Sequence, residues 1–223
     1  MDKNKILVIA PHLDDEVIGC GGAIARFAKE GNEIYVAIIT KGVTPLYSDI
    51  DIAKTRGEAR CAHKILGVKK THFLDFPAAE LDTVMHRKLN QSIGELFQKI
   101  QPQVIFIPFL GDIHFDHQLV FCSSLVASRP VNQFSPVTIY AYEALSETNW
   151  NAPYITPAFI PNVFVDIEKY LDMKLAAFEC FQSQCKKFPN ERSLESIEYL
   201  AKLRGSQVNR KAAEAFLLIR GIV

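Results

Sequence analysis

The chain has 223 residues, with 25 Lys+Arg against 25 Asp+Glu, a formal net charge of zero, 48% hydrophobic residues and 22% charged ones. This composition excludes a disordered chain, and the lack of excess base argues against nucleic acid or another polyanionic partner. At this length one domain over residues 1–223 is expected, burying roughly 70% of its extended surface without needing cross-links.

Ile6–Ala10 is a short, continuously apolar run, as in a parallel strand covered on both faces. The spacing of Val17, Ile24, Phe27 and Ala28 predicts a helix over 16–29, stopped by Gly31-Asn32. Ile34–Ile39 reads as a second strand, 51–66 as a second helix ending at Gly67, and His72-Phe73-Leu74 as a brief third strand. A third helix is expected over 81–100, closed by Gln101-Pro102, and a fourth strand over 104–108. Strands alternating with helices imply an α/β, Rossmann-like open sheet, mainly parallel, with helices on both faces. The pattern loosens after residue 128. Strands are expected over 137–142 and 163–167, irregular aromatic structure over 143–161, and closing helices over 167–181, 193–204 and 206–219.

Cys20, Cys61, Cys122, Cys180 and Cys185 are odd in number and contain no Cys-x-x-Cys pair. They read as buried free thiols in a reducing compartment, not as a disulfide framework or a thiolate zinc site. Met1–Lys5 runs straight into the first strand, so no leader is expected. No apolar stretch approaches the roughly 18 residues of a membrane span. The expectation is a cytoplasmic protein with no membrane partner.

Two clusters carry chemistry. The first strand leads into Pro11-His12-Leu13-Asp14-Asp15-Glu16, and the fourth into Gly111-Asp112-Ile113-His114-Phe115-Asp116-His117. In an open α/β sheet ligands bind beyond the carboxyl ends of the strands, where both clusters sit. Adjacent carboxylates resist joint ionisation, and a divalent cation removes that difficulty. His12 and Asp15 can face one metal across a tight turn while Asp14 is turned aside. If the two strands are neighbours the clusters converge. Two histidines and a carboxylate with an open fourth position suit a catalytic zinc, which lowers the pKa of water to about 7. Nitrogen and oxygen donors also admit Fe(II), Mn(II) or Co(II). Either cluster alone reads equally well as helix-capping carboxylates and surface histidines; the pair together points to a site. His63 and His86 lack such company and read as surface or packing residues. Gly19-Cys20-Gly21-Gly22 falls inside the first helix, where it would permit close packing and would not cradle a dinucleotide.

Pro11-His12-Leu13-Asp14-Asp15-Glu16 with His114-Phe115-Asp116-His117 resembles the LmbE/PIG-L family of zinc-dependent N-deacetylases. The likeness extends through Arg56-Gly57-Glu58-Ala59, Leu66-Gly67-Val68, Leu74-Asp75-Phe76-Pro77 and Ala213-Glu214-Ala215-Phe216. The resemblance implies His12, Asp15 and His117 as metal ligands and Asp14 as general base. It implies His114 as the oxyanion-stabilising residue, with Asp116 as its orienter, and Arg56 as a substrate contact. Leu13 stands where the family usually has Pro, and Ala78-Ala79 where many members carry an acid. The segment from Tyr142 to Trp150 resembles a branch acting on aminosugars, often nucleotide-linked, of surface polysaccharides or natural products. Trp150, Tyr154 and Phe159 would then stack on a sugar or base, unless they simply pack. Arg56 and Arg192 would meet a phosphate. A phosphodiesterase on the same fold and a non-catalytic sugar- or nucleotide-binding module are the rival readings.

Overall fold

The structure is a computed structural model that describes residues 4–131 and 133–223. Met1–Lys3, part of the segment expected to carry no leader, lie outside the described residues. The chain runs β1 (Lys5–Ala10), α1 (Asp15–Lys29), β2 (Glu33–Lys41), α2 (Asp49–Leu66), β3 (Lys70–Pro77), α3 (His86–Ile100), β4 (Val104–Pro108) and α4 (Phe115–Ala127). It continues through β5 (Thr138–Tyr142), β6 (Val163–Asp166), α5 (Leu171–Glu179), α6 (Leu194–Ser206) and β7 (Ala213–Gly221).

All seven strands form one sheet in the order β3-β2-β1-β4-β5-β7-β6. The first five are parallel to their neighbours, and β7 runs antiparallel between β5 and β6. Successive residues of a strand face opposite sides. Thus Ile6, Val8 and Ala10 enter a core with α1, α2, α5 and α6, while Leu7 and Ile9 enter another with α3 and α4. This two-sided burial explains the uninterrupted apolar run of β1. The chain leaves β1 toward β2 on one side and reaches β4 on the other. Their carboxyl ends therefore open the crevice of a topological switch point.

The C-terminal third departs from expectation. Residues 206–219 are not a helix: α6 ends at Ser206 and β7 occupies Ala213–Gly221. Ala-Ala-Glu-Ala-Phe-Leu-Leu favours helix locally, but ladders on both sides, to β5 and β6, satisfy this backbone and bury Ala213, Ala215 and Phe216. The helix expected over 81–100 starts at His86, because Leu81–Thr83 form a separate 3-10 turn with Leu81 buried. Likewise 167–181 splits into a 3-10 turn and α5. Helix α4, absent from the sequence reading, carries half of the second cluster.

The glycines of α1 act as expected. A Cβ at Gly19 would collide with the Tyr142 ring, and one at Gly22 would lie 2.6 Å from Ile167. Beside them the buried Glu214 of β7 accepts the Gly22 and Ala23 backbone N–H groups at 2.8 and 2.7 Å and pairs with Lys174 at 2.6 Å. All five cysteines are free, but only Cys20 is buried; Cys61 and Cys122 are exposed, which corrects the reading of five buried thiols. Their neighbourhoods explain it, since Cys20 lies on the sheet-facing side of α1 and joins its core. Among the described residues no helix is long and apolar enough to cross a membrane.

Candidate active site

The turn after β1 is anchored where Thr40 donates from both backbone N–H and Oγ1 to the Pro11 carbonyl, at 3.0 and 2.8 Å. Asp14 takes a left-handed backbone, φ 95°, and its carbonyl accepts the Val17 and Ile18 N–H groups to start α1. Aspartate tolerates this conformation better than most residues. Asp15, the first residue of α1, turns its Oδ2 back onto the His12 N–H at 2.9 Å. At the second strand end His114 caps α4, its Nδ1 accepting the Asp116 N–H at 3.1 Å.

The two clusters converge. Asp15 Oδ2 lies 3.4 Å from His12 Nδ1 and 3.2 Å from His117 Nε2. Each histidine donates from its other ring nitrogen to a carboxylate: His12 Nε2–H to Asp116 at 2.9 Å, and His117 Nδ1–H to Asp112 at 2.8 Å. Asp112 in turn accepts from Thr148 Oγ1 at 2.6 Å. Such carboxylate partners fix ring orientation and tautomer, leaving the nitrogens facing Asp15 free to ligate. The resemblance-based role for Asp116 needs amending. Its carboxylate holds His12, and only its backbone N–H orients His114.

The electrostatics show what the pocket is built to hold. Burial alone would lower the His12 pKa, but hydrogen bonds to Asp116 and Asp15 outweigh it and raise the value to about 9. His117 likewise rises to about 10, against burial, through the charge of Asp15 and the bond to Asp112. Despite its own burial, Asp15 is held well below the carboxylate range by His117 and then His12. Burial raises Asp14 well above that range, with Asp15 and Glu16 adding to it and Arg192 opposing. Burial and the His12 charge lower His114 to about 4, so its imidazole is neutral. Because Nδ1 accepts the Asp116 N–H, the proton of that neutral ring sits on Nε2.

The residues fit a metal ion. Ligand atoms of His12, Asp15 and His117 lie within 4.8 Å of one another, and Asp15 Oδ1 and His117 Nε2 are buried without a hydrogen-bond partner. Buried polar atoms without partners are costly, and a cation would satisfy both. Metal-free, the same space holds two protonated imidazoles among carboxylates, so it favours positive charge. His12, His114 and Asp116 form a second candidate set. In that set His12 Nε2 already bonds the Asp116 carboxylate and His114 Nδ1 already accepts the Asp116 N–H, so the first set is preferred.

A cavity of about 290 Å³ opens over this centre, with His12, Asp14, His114, Glu147 and Arg192 in its wall. Of the expected substrate contacts, only Arg192 lines it. Arg56 instead lies over the Phe73 ring, 4.7 Å from its centroid, and pairs with Asp75. Trp150 and Tyr154 are 58% and 97% exposed and absent from the cavity wall. Phe159 packs edge-on against Phe109 at 5.2 Å. His63 is buried, bonded to Glu16 at 2.9 Å and Thr71 at 2.7 Å, the packing role expected for it. The sequence reading gave no role to Asp112, Ser146, Glu147 or Thr148. The available signals were the place of Asp112 five residues before His117 in the same cluster and the Tyr142–Trp150 segment that holds Ser146, Glu147 and Thr148.

Residues 7–128 match the family model described as PIG-L, GlcNAc-PI de-N-acetylase, which spans more than half of the chain. The chain belongs to the PIG-L family. Among curated relatives of this PIG-L chain, the uncharacterized deacetylase YaiS of Escherichia coli is 33% identical, over 81% of this chain and 92% of its own. Diacetylchitobiose deacetylase of Thermococcus kodakarensis is 26% identical, over 99% and 85%. A 4-oxalmesaconate hydratase of Pseudomonas putida is 25% identical, over 93% and 82%. The solved N,N'-diacetylchitobiose deacetylase of Pyrococcus horikoshii superposes with a TM-score of 0.79 at 24% identity, covering 99% of this chain and 85% of that one. The relatives of this chain thus include deacetylases and a hydratase.

Proposed function

We propose that this PIG-L chain is a metal-dependent hydrolase that removes the acetyl group from an N-acetylated aminosugar or its nucleotide-linked conjugate, in surface-polysaccharide or natural-product sugar biosynthesis. The observation that carries the reading is the convergence of His12 Nδ1, Asp15 and His117 Nε2 beside the buried carboxylate of Asp14. A divalent cation held by those three side chains, zinc first and Fe(II), Mn(II) or Co(II) by the same donor chemistry, would lower the pKa of water and polarise the acetamide carbonyl.

The chain's own residues do the rest. Asp14, whose pKa burial raises above the usual carboxylate range, stands beside the three ligands and takes the proton of the attacking water as general base. His114, neutral and protonated on Nε2, donates a hydrogen bond to the oxygen that becomes negative. As the C–N bond breaks, the Asp14 carboxylic acid returns its proton to the leaving nitrogen. One water and one acetamide give one acetate and one amine, which carries away the remaining proton as ammonium. Asp116 and Asp112 act behind this by orienting His12 and His117.

The test is a panel of N-acetyl aminosugars and their nucleotide conjugates, incubated with zinc-loaded protein and scored for acetate and free amine. Equal release of both from at least one sugar is expected. No acetate from any member, with loss of absorbance from an unsaturated dicarboxylate in a parallel assay, would favour a hydratase instead.

A further inference from the structure

Two segments beyond residues 7–128, the span matched by the family model, close on Asp14. The first, 143–150, follows β5; the second, 180–193, joins α5 to α6. Ser146 adopts a left-handed backbone, φ 68°. Its N–H donates to Asn149 Oδ1 at 3.0 Å and to Glu191 Oε2 at 2.9 Å, and Asn149 Nδ2 donates to the other oxygen of Glu191. The next residue, Arg192, donates from Nε to Ser146 Oγ at 3.0 Å. Its Nη2 lies 3.6 Å from Glu147, and its Nη1 donates to Asp14 Oδ2 at 2.5 Å. Glu191 therefore latches the loop, and Arg192 passes that anchorage to Asp14.

This geometry reassigns Arg192. Arg192 lines the cavity, but its Nε and Nη1 are engaged by Ser146 and Asp14, its Nη2 lies beside Glu147, and the side chain is only 20% exposed, so its charge is directed at these carboxylates. Asp14 meanwhile keeps one oxygen without a partner: Oδ2 is held, and Oδ1 is buried and unbonded. We infer that Arg192, anchored by Ser146 and Glu191, is a positioning residue that clamps one oxygen of Asp14 and leaves the other to meet the reacting water. The inference rests on the deacetylase reading for its kinetic test and on geometry for the rest. A planar fork anchored at two points holds a carboxylate in one orientation, which a flexible ammonium does not.

The test compares zinc-loaded wild type, Arg192→Ala, Arg192→Lys and Glu191→Gln for acetate release, with zinc content measured in each. Positioning acts on kcat. Arg192→Ala is expected to lose roughly 30- to 100-fold in kcat, part of what general-base catalysis supplies, with KM within about threefold and zinc retained. Millimolar guanidinium is expected to restore much of the loss in Arg192→Ala and none in Asp14→Asn. Glu191→Gln, which weakens only the latch, is expected to lose less than Arg192→Ala, again in kcat. Should Arg192→Ala fail to fold, Arg192→Lys and Glu191→Gln carry the same kcat-against-KM comparison. A rise in KM confined to phosphorylated sugars, with kcat intact, would overturn the inference and restore the phosphate contact. Full kcat in these variants would also overturn it. If wild type releases no acetate at all, the deacetylase reading fails instead. The clamp is then judged by thermal unfolding of Arg192→Ala, Asp14→Asn and the double variant: non-additive shifts support it and additive shifts refute it.

Discussion

In the parallel half of the sheet, the turns after β1 and β4 and the first turns of α1 and α4 deliver His12, Asp14 and Asp15 from one side and Asp112, His114, Asp116 and His117 from the other. In the C-terminal third, Ser146, Glu147, Thr148, Glu191 and Arg192 reach the same centre from two segments, with Arg192 and Asp14 separated by 178 positions. The first region holds the groups proposed to act on metal and substrate. The second holds those groups in place: Thr148 through Asp112 to His117, and Arg192 directly on Asp14. Reacting groups and supports are thus divided between motif loops and a surrounding frame, as expected where orientation must be held to fractions of an ångström.

The sharpest break in this comparison comes from the motif side. His117→Ala removes a proposed ligand that is fully buried, and both bound zinc and deacetylation are expected to be lost, as read by metal analysis and acetate release. Next, Asp14→Asn is expected to keep its zinc while losing roughly 10²- to 10⁴-fold in kcat, the contribution of a general base. On the supporting side the effects shrink. Asp112→Asn leaves every ligand in place but weakens the hold on His117 Nδ1, and zinc affinity is expected to fall roughly 10- to 100-fold in a chelator competition. Smallest of all, Trp150→Ala is expected to change kcat/KM by less than about twofold, since the ring stands outside the cavity wall.

Protons give a further handle on the motif loops. With His12 raised to about 9 and His117 to about 10, both are charged at pH 7 in the metal-free protein. Zinc needs them neutral, so uptake at pH 7 is expected to release about two protons per chain. Calorimetry in buffers of different ionisation enthalpy reads that number directly. Zinc affinity is therefore expected to rise with pH through this range. The sign reverses for the metal-free fold. Two raised histidine pKa values contribute stability that is complete below about 6.5 and fades as pH climbs through 9 and 10. Denaturation midpoints measured without metal are expected to fall over that interval.

Much of this was legible in the sequence where the physics is local. The apolar run of β1, the helix stop at Gly67 and the paired clusters all depend on neighbours a few residues away. The fate of 206–219 was not legible, because helix-favouring residues there are overruled by β5 and β6, whose positions are set elsewhere in the chain. The surroundings of Arg56 are likewise set by residues distant in the chain. Its motif matches a substrate-contacting arginine, yet Phe73 and Asp75 engage its guanidinium. Asp112 stood in plain view, but its bond to His117 exists only because α4 turns the two side chains together. The latch of Glu191 and Arg192 onto Ser146 and Asp14 has no spacing signal at all.

Anomalous diffraction at the zinc edge from zinc-loaded crystals tests most directly where the reacting centre lies. One peak per chain is expected, within about 2.0–2.2 Å of His12 Nδ1, an Asp15 oxygen and His117 Nε2. A peak on His12, His114 and Asp116, or none near these residues at saturating zinc, would contradict it.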